Sequence, residues 1–81
     1  MSSKSEQKLY KLLSGILEMN VKNINDKMTA EKTANWDSFN GLIIASELER
    51  QFNVKFSIDE IVDVKNVGDI KRHLINHGIK F

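Results

Sequence analysis

The sequence contains no cysteine and no proline, and aromatic residues make up only 7% of it. Without cysteine the chain has no disulfide, no thiolate nucleophile and no cysteine zinc site, so packing alone must hold the fold together. It also has no apolar run near 18 residues and no apolar stretch behind its N-terminal charges, so neither a membrane span nor an export signal is expected. We therefore expect a cytoplasmic protein with no membrane partner.

An excess of charge of one sign is also missing. Twelve Lys and Arg residues against 11 Asp and Glu residues give a net charge of +1. This is far from the basic excess of proteins that neutralise phosphates, so we expect no nucleic-acid partner. A chain of 81 residues has room for one domain, residues 1–81, but little interior for an enclosed active site. We expect a monomer that is not an enzyme.

Apolar residues near the N-terminus recur with helical spacing and predict an amphipathic helix over residues 4–19. Ser3, followed by Glu6, forms a capping-box pattern at its start. The residues on its apolar face are Leu9, Leu12, Leu13, Ile16 and Leu17. Residues 20–37 are polar and without a period, which predicts one long loop. Its scattered apolar anchors are Val21, Ile24 and Met28.

A second helix is predicted over residues 38–51. Asp37 or Ser38 serves as its N-cap, and Asn53 suits a left-handed position at its C-terminal end. Its core face is expected to hold Ile44, Ala45, Leu48 and Phe52. Gly41 falls within the same arc, and because glycine weakens a helix interior, some group should approach the backbone there.

Two more helices complete the predicted fold. Ser57 and Glu60 form a second capping box and open a short helix that ends near Val62. Asn66 opens the last helix, and Gly78 terminates it. The apolar residues that keep helical spacing along it are Val67, Ile70, Leu74 and Ile75. The sequence therefore predicts an all-α domain.

Two histidines of the last helix, His73 and His77, have the i, i+4 spacing that can hold a metal. No cysteine is present, and only Asp69 on that helix is placed to complete a site. We interpret them as partly exposed histidines near a helix C-terminus, where their protonated forms suit the helix dipole. No metal site is predicted.

Ser38 stands where a long polar loop becomes a helix. Backbone N–H groups point outward at such a position, and the helix dipole favours negative charge, so a phosphate ester on Ser38 would be stabilised. A plain helix cap is the alternative, since Asp-Ser is common at helix starts. From the local chemistry alone, both interpretations stay open.

The order of the motifs resembles that of the acyl carrier proteins over nearly the whole chain. Trp36-Asp37-Ser38-Phe39 precedes a helix ending in Leu48-Glu49-Arg50-Gln51-Phe52, and Val67-Gly68-Asp69-Ile70 follows about thirty residues after the serine. The resemblance implies a small acyl-carrier-like four-helix bundle with three main helices, one short helix and a long loop after the first helix.

What the resemblance implies for function centres on Ser38. A 4′-phosphopantetheinyl transferase would attach 4′-phosphopantetheine from coenzyme A to this serine, and the thiol of the arm would carry acyl groups as thioesters. Asp37 matches the acidic neighbour that helps place the metal in the transferase complex. Gly41 and Ala45 are then expected to leave room for a bound acyl chain or a closely packed neighbour.

Several residues of the second helix lie opposite its core face and predict a docking surface for acyl-loading and acyl-transferring enzymes. They are Phe39, Leu42, Ile43, Ser46 and Glu47. Residues 37–63 carry six acidic side chains against two basic ones, so the partners are expected to offer basic docking surfaces. The alternative is that the long loop folds over Phe39 and Ile43 and buries them.

The helix after Ser38 carries fewer acidic residues than is usual in the resembled family. This favours a carrier of a specialised pathway, such as polyketide, lipopolysaccharide or sugar N-acyl modification, over housekeeping fatty-acid synthesis. A function of a different class also stays open, namely an unmodified small helical protein-interaction module.

Overall fold

A computed structural model describes residues 3–81 of the protein. In this range the chain forms four α-helices and no β-strand. They are α1 (Lys4–Leu17), α2 (Ser38–Phe52), α3 (Ile58–Asp63) and α4 (Val67–Asn76), with a 3-10 turn at Val21–Asn23 in the loop after α1. The predicted all-α bundle with one short helix and a long first loop is confirmed. Among these helices, none is long and apolar enough to span a bilayer.

The ends of α1 and α2 are set by side-chain caps and by left-handed residues. The Ser3 hydroxyl accepts the backbone N–H of Glu6 at 3.0 Å and begins α1 where predicted. This helix ends at Leu17, two residues earlier than predicted, because Glu18 adopts a left-handed conformation with a φ of 54°. Asn53 adopts the same conformation after α2, as predicted.

The caps of α3 and α4 also lie at the predicted residues. The Ser57 hydroxyl accepts the Glu60 backbone N–H at 3.2 Å, and the Glu60 carboxylate accepts the Ser57 N–H at 2.9 Å. Asn66 caps α4 by accepting the Asp69 N–H at 2.8 Å. Gly78 follows α4 with a φ of 94°, a conformation that glycine adopts without strain.

The core is built by the apolar faces of α1, α2 and α4, whereas α3 contributes no buried residue. Ile75 shares the helical spacing of the apolar residues of α4 but is not part of this core, because its side chain is 54% exposed. The core face of α4 is centred on Ile70 and Leu74, and Ile75 lies 100° beyond Leu74 on the far side from Ile70. The buried apolar residues of these three helices are Leu9, Leu12, Leu13, Leu17, Ile44, Ala45, Leu48, Phe52, Val67, Ile70 and Leu74.

The long loop after α1 supplies two further core residues, Ile24 and Trp36, which are 5% and 6% exposed. Of its other predicted anchors, Met28 is half-buried against the core. Val21 is 45% exposed, so its assignment as an anchor is wrong. It lies in the 3-10 turn, whose three residues are all exposed.

Backbone hydrogen bonds attach this loop to the start of α4. The N–H of Ala30 donates to the carbonyl of Lys65 at 2.9 Å, and the N–H of Val67 donates to that of Met28 at 3.0 Å. At Gly68 the loop backbone approaches so closely that a Cβ atom would lie 3.4 Å from a loop carbonyl and 3.1 Å from the capping side chain. These bonds fix the position of the loop backbone ahead of Trp36.

Lys71 connects α1, the long loop and α4. Its side chain is 12% exposed, and its Nζ lies 2.6 Å from Glu6 and 2.7 Å from Asp26. The same Nζ lies over the ring of Tyr10, whose hydroxyl donates a hydrogen bond to Asp26. Burial by itself lowers the pKa of Lys71, but its bonds to Asp26 and Glu6 outweigh it and raise the pKa. Lys71 is therefore a structural ion-pair centre between α1, the long loop and α4.

Candidate functional site

Ser38 is the first residue of α2, and its side chain is exposed. Asp37 is the N-cap, since its carboxylate accepts the backbone N–H of Asn40 at 2.8 Å. The backbone carbonyl of Asp37 accepts the N–H of Gly41, also at 2.8 Å. Within residues 3–81 the hydroxyl of Ser38 has no hydrogen-bond partner. The structure thus assigns the cap to Asp37 and leaves the Ser38 hydroxyl unengaged.

The segment before Ser38 is held by the core. Trp36 is buried, and it fixes the backbone two residues ahead of the serine. The side-chain amide of Asn35 donates to the carbonyl of Leu17 at 2.8 Å, and that of Asn40 donates to the carbonyl of Asn35 at 2.7 Å. Ser38 is therefore an exposed residue on a rigid support, the arrangement expected of a site that another protein must reach.

A cleft of about 620 Å³ opens beside Ser38 between α2, α3 and α4. Gly41 faces it, and a Cβ atom at this position would meet only the indole Nε1 of Trp36, at 3.9 Å. This is an ordinary contact distance, so the expected space at Gly41 is present and the alternative of a closely packed neighbour is wrong. The main apolar residues that line the cleft are Leu42, Ala45, Leu48, Ile61, Val62 and Ile70.

Most of the residues predicted to form the docking surface are exposed. Phe39 and Leu42 are 71% and 56% exposed, and Ser46 is also exposed. Phe39 is therefore not covered by the long loop, and that alternative is wrong for this residue. Ile43 is half-buried, which corrects the prediction that it faces fully outward.

Ile43 and Glu47 lie one turn apart on the flank of α2 that turns toward α1. Glu47 shares a shallow depression with Lys8 of α1 and is half-buried, which explains the partial burial of this flank. The carboxylate of Glu47 accepts two hydrogen bonds from Arg50, at 2.7 and 3.0 Å, and this partner lowers the pKa of Glu47. Both residues lie at the margin of the predicted surface rather than at its centre.

Two exposed apolar residues of α3 were not predicted from the sequence to belong to the docking surface. Ile58 and Val62 are 71% and 67% exposed, and Val62 lines the cleft together with Leu42 of α2. Their i, i+4 spacing was a visible signal that they share one face of a short helix. The exposed apolar surface beside Ser38 therefore has two walls, one on each side of the cleft.

Polar bonds between α3 and α4 hold α3 in place. The ring of His73 contacts Asp63, with Nε2 and Oδ2 2.9 Å apart, and His77 Nε2 lies 2.8 Å from a carboxylate oxygen of Glu60. His73 is only 7% exposed, so the prediction of a partly exposed residue is wrong for it. It lies on the core side of α4, one turn from Ile70. Residues 3–81 contain no group of acidic or histidine side chains arranged to hold a metal ion.

The carboxylates of Glu60 and Asp63, which bind the two histidines, have pKa values below their ordinary range. For Glu60 the main cause is the hydrogen bond from the Ser57 backbone N–H, followed by the one from His77. For Asp63 it is the hydrogen bond from Arg72, followed by the one from His73. Both groups are therefore engaged with partners inside the domain.

Comparison with known proteins identifies the family. Residues 7–74 match the sequence model of a family described as the phosphopantetheine attachment site, so the match covers most of the chain. A search of curated proteins found no match. Domains of the matched family attach a 4′-phosphopantetheine group and are carriers rather than enzymes. With its four-helix fold and an exposed serine at the start of α2, the chain belongs to this family, that of the phosphopantetheine-carrying acyl carrier domains.

Proposed function

We propose that Ser38 is the residue that carries 4′-phosphopantetheine, and that the protein holds acyl groups as thioesters on this arm and presents them to partner enzymes. The observation that carries the proposal is the Ser38 hydroxyl, which is exposed, makes no hydrogen bond to any other residue of the range 3–81 and lies next to an apolar cleft. It also stands at the N-terminus of a 15-residue helix, where the dipole and free N–H groups favour a phosphate.

The attachment step forms one ester bond and breaks one phosphoanhydride bond. The Ser38 oxygen attacks the pantetheine-side phosphorus of coenzyme A and loses its proton, and adenosine 3′,5′-bisphosphate leaves. The attached group supplies the thiol that a chain without cysteine lacks. Asp37 supports this step as a partner of the transferase metal, because its carboxylate is exposed and is fixed in orientation by its bond to Asn40.

The cleft is proposed to receive the acyl chain. Its volume of about 620 Å³ lies within the range of about 300 to 1,000 Å³ typical of small-molecule sites, and its walls are mainly apolar. Gly41 keeps the part nearest Ser38 open, since no side chain projects there. Burial in such a cleft would shield a thioester-linked chain from water until a partner binds.

The surface proposed to dock partner enzymes consists of the exposed apolar residues on both sides of the cleft. Its centre is formed by Phe39, Leu42 and Ser46 of α2 with Ile58 and Val62 of α3, and Ile43 and Glu47 stand at its margin. A group of exposed apolar side chains beside a modification site is typical of a docking surface.

The partners are proposed to be a 4′-phosphopantetheinyl transferase and acyl-loading and acyl-transferring enzymes with basic docking surfaces. Three exposed carboxylates form no ion pair within residues 3–81, namely those of Glu31 and Asp37, which line the cleft, and that of Asp59 on α3. They leave negative charge for a basic partner to neutralise, which favours faster association at low salt. The protein would act as a cytoplasmic monomer. Its pathway would be a specialised one, because α2 carries few acidic residues.

Intact mass spectrometry tests the proposal. After incubation with coenzyme A and a promiscuous transferase, the wild-type chain should gain the mass of one phosphopantetheine group. Ser38→Ala should gain none, whereas Ser14→Ala, which removes a hydroxyl from α1 outside the docking surface, should react like the wild type. An unmodified wild-type chain would instead support the rival function of a helical interaction module.

A further inference from the structure

The indole N–H of Trp36 has no acceptor within residues 3–81, although the residue is only 6% exposed. In this part of the chain every fully buried side-chain nitrogen or oxygen has a partner. The indole nitrogen is therefore not sealed inside the protein. It borders the cleft, because Trp36 is one of the cleft walls and its Nε1 is the atom that a Cβ at Gly41 would meet.

An N–H group at this place requires an acceptor once the cleft is filled. The indole nitrogen is a donor only, and a buried donor without an acceptor is costly. Because the nitrogen is not sealed, solvent can hydrogen-bond to it while the cleft is open, but an apolar chain in the cleft would exclude that solvent. The methylene groups of such a chain accept no hydrogen bond, so the acceptor must come from the polar part of the same ligand.

Two polar residues on the opposite side of the cleft already have hydrogen-bond partners within the domain. His73 and Glu60 line it on the side of α3 and α4, where they are engaged with Asp63 and His77. Trp36 lies two residues before Ser38, both residues line the cleft, and the indole Nε1 lies beside Gly41, one turn after the serine. The unpaired indole donor thus lies near the point of attachment at Ser38, and apolar side chains line much of the cleft.

We propose that the indole N–H of Trp36 donates a hydrogen bond to a carbonyl oxygen of the phosphopantetheine arm or of its thioester when the acyl chain lies in the cleft. This inference rests on the proposed attachment at Ser38. The bond makes Trp36 a positioning residue that sets how deeply the chain enters. The acyl groups that fit are those with an apolar chain beyond the first carbonyl.

The single tryptophan of the chain makes the test direct, since it gives one indole N–H resonance in a ¹⁵N spectrum. Four forms are compared: unmodified protein, protein with the free arm, protein loaded with a medium-length acyl thioester, and protein loaded with a thioether of the same length. Hydrogen bonding moves the indole proton downfield and slows its exchange with solvent. A change in both loaded forms assigns the acceptor to an amide carbonyl of the arm, and a change with the thioester alone assigns it to the thioester carbonyl.

Two results overturn the inference and are distinguished by mass. If mass shows that Ser38 is loaded but the indole proton does not move downfield in either loaded form, Trp36 does not bind the ligand, and the carrier function stands. If no modification occurs at Ser38, the proposed function fails and this inference fails with it.

A variant provides an independent measurement. Trp36→Phe keeps an aromatic ring but removes the N–H, and hydrolysis of the loaded thioester should become about fivefold faster, the factor expected for one ordinary hydrogen bond. Tyr10→Phe removes a polar hydrogen from an aromatic residue that does not line the cleft, so its hydrolysis rate should equal that of the wild type. Equal rates for Trp36→Phe and the wild type, with both shown to be folded, would contradict the proposed hydrogen bond.

Discussion

Replacing Gly41 by leucine tests whether the acyl chain lies in the cleft. A Cβ atom at Gly41 has one neighbour, at 3.9 Å, so the leucine side chain enters the cleft without a clash at its base. Replacing glycine inside a helix also favours the helix by about 1 kcal/mol. We therefore expect the unmodified Gly41→Leu protein to melt about 4 to 8 °C above the wild type.

In the acyl-loaded form, the leucine at position 41 should reduce the stability that is gained from burying the acyl chain. Each buried methylene contributes about 0.8 kcal/mol, so the four side-chain carbons of leucine would displace about 3 kcal/mol of acyl-chain burial. Thermal unfolding of the free-arm and acyl-loaded forms measures this difference. Acylation should stabilise the wild type clearly and the Gly41→Leu variant by about 3 kcal/mol less.

Gly15 offers a matched control for this comparison. It lies in α1, and a Cβ atom at this position would have no neighbour within 4 Å, so Gly15→Leu gains helix propensity without entering the cleft. Acylation should stabilise this variant as much as the wild type. If acylation stabilised Gly41→Leu to the same extent as well, the chain would not occupy the space beside Gly41, and the assignment of the cleft would be wrong.

Three further predictions concern the docking surface, α3 and the ion-pair centre. Leu42→Ala should lower the kcat/KM of the transferase about tenfold with little change in stability, whereas Ile75→Ala, on α4 and 54% exposed, should leave it unchanged. Because the folded-state pKa values of Glu60 and Asp63 are lowered, the stability they contribute is present above their ordinary values of 4.5 and 3.8 and is lost as the pH falls. The urea midpoint should therefore drop between pH 7 and pH 3, and drop less in Glu60→Gln; equal drops would contradict this. Lys71→Met should destabilise the fold by about 1 to 2 kcal/mol in urea unfolding, and an unchanged midpoint would show that its ion pairs add nothing.

Local features of the sequence were sufficient to predict the helix caps and the position of Ser38. Ser3, Ser57 and Asn53 act on backbone groups within a few residues of themselves, so their roles depend little on the rest of the fold. The choice between Asp37 and Ser38 as the cap depended on backbone geometry at the loop junction, which the sequence left open.

Features that depend on how helices pack were not predictable in this way. Helical spacing identifies an apolar face, but the neighbouring helix decides which flank of that face is covered, and so Ile43 is half-buried while Ile75 is exposed. The burial of His73 depends on α3, whose place over α4 is fixed by bonds between residues far apart in the chain. The unpaired indole N–H of Trp36 depends on the shape of the cleft.

The most direct test of carrier function is to locate the phosphopantetheine group on the chain. Trypsin cleaves after Lys32 and Arg50, which releases residues 33–50 as one peptide that contains both Ser38 and Ser46. Fragmentation of this peptide from protein treated with coenzyme A and transferase should place the added mass on Ser38 alone. Added mass on Ser46, or no added mass on a folded chain, would contradict the assignment of Ser38 as the attachment site.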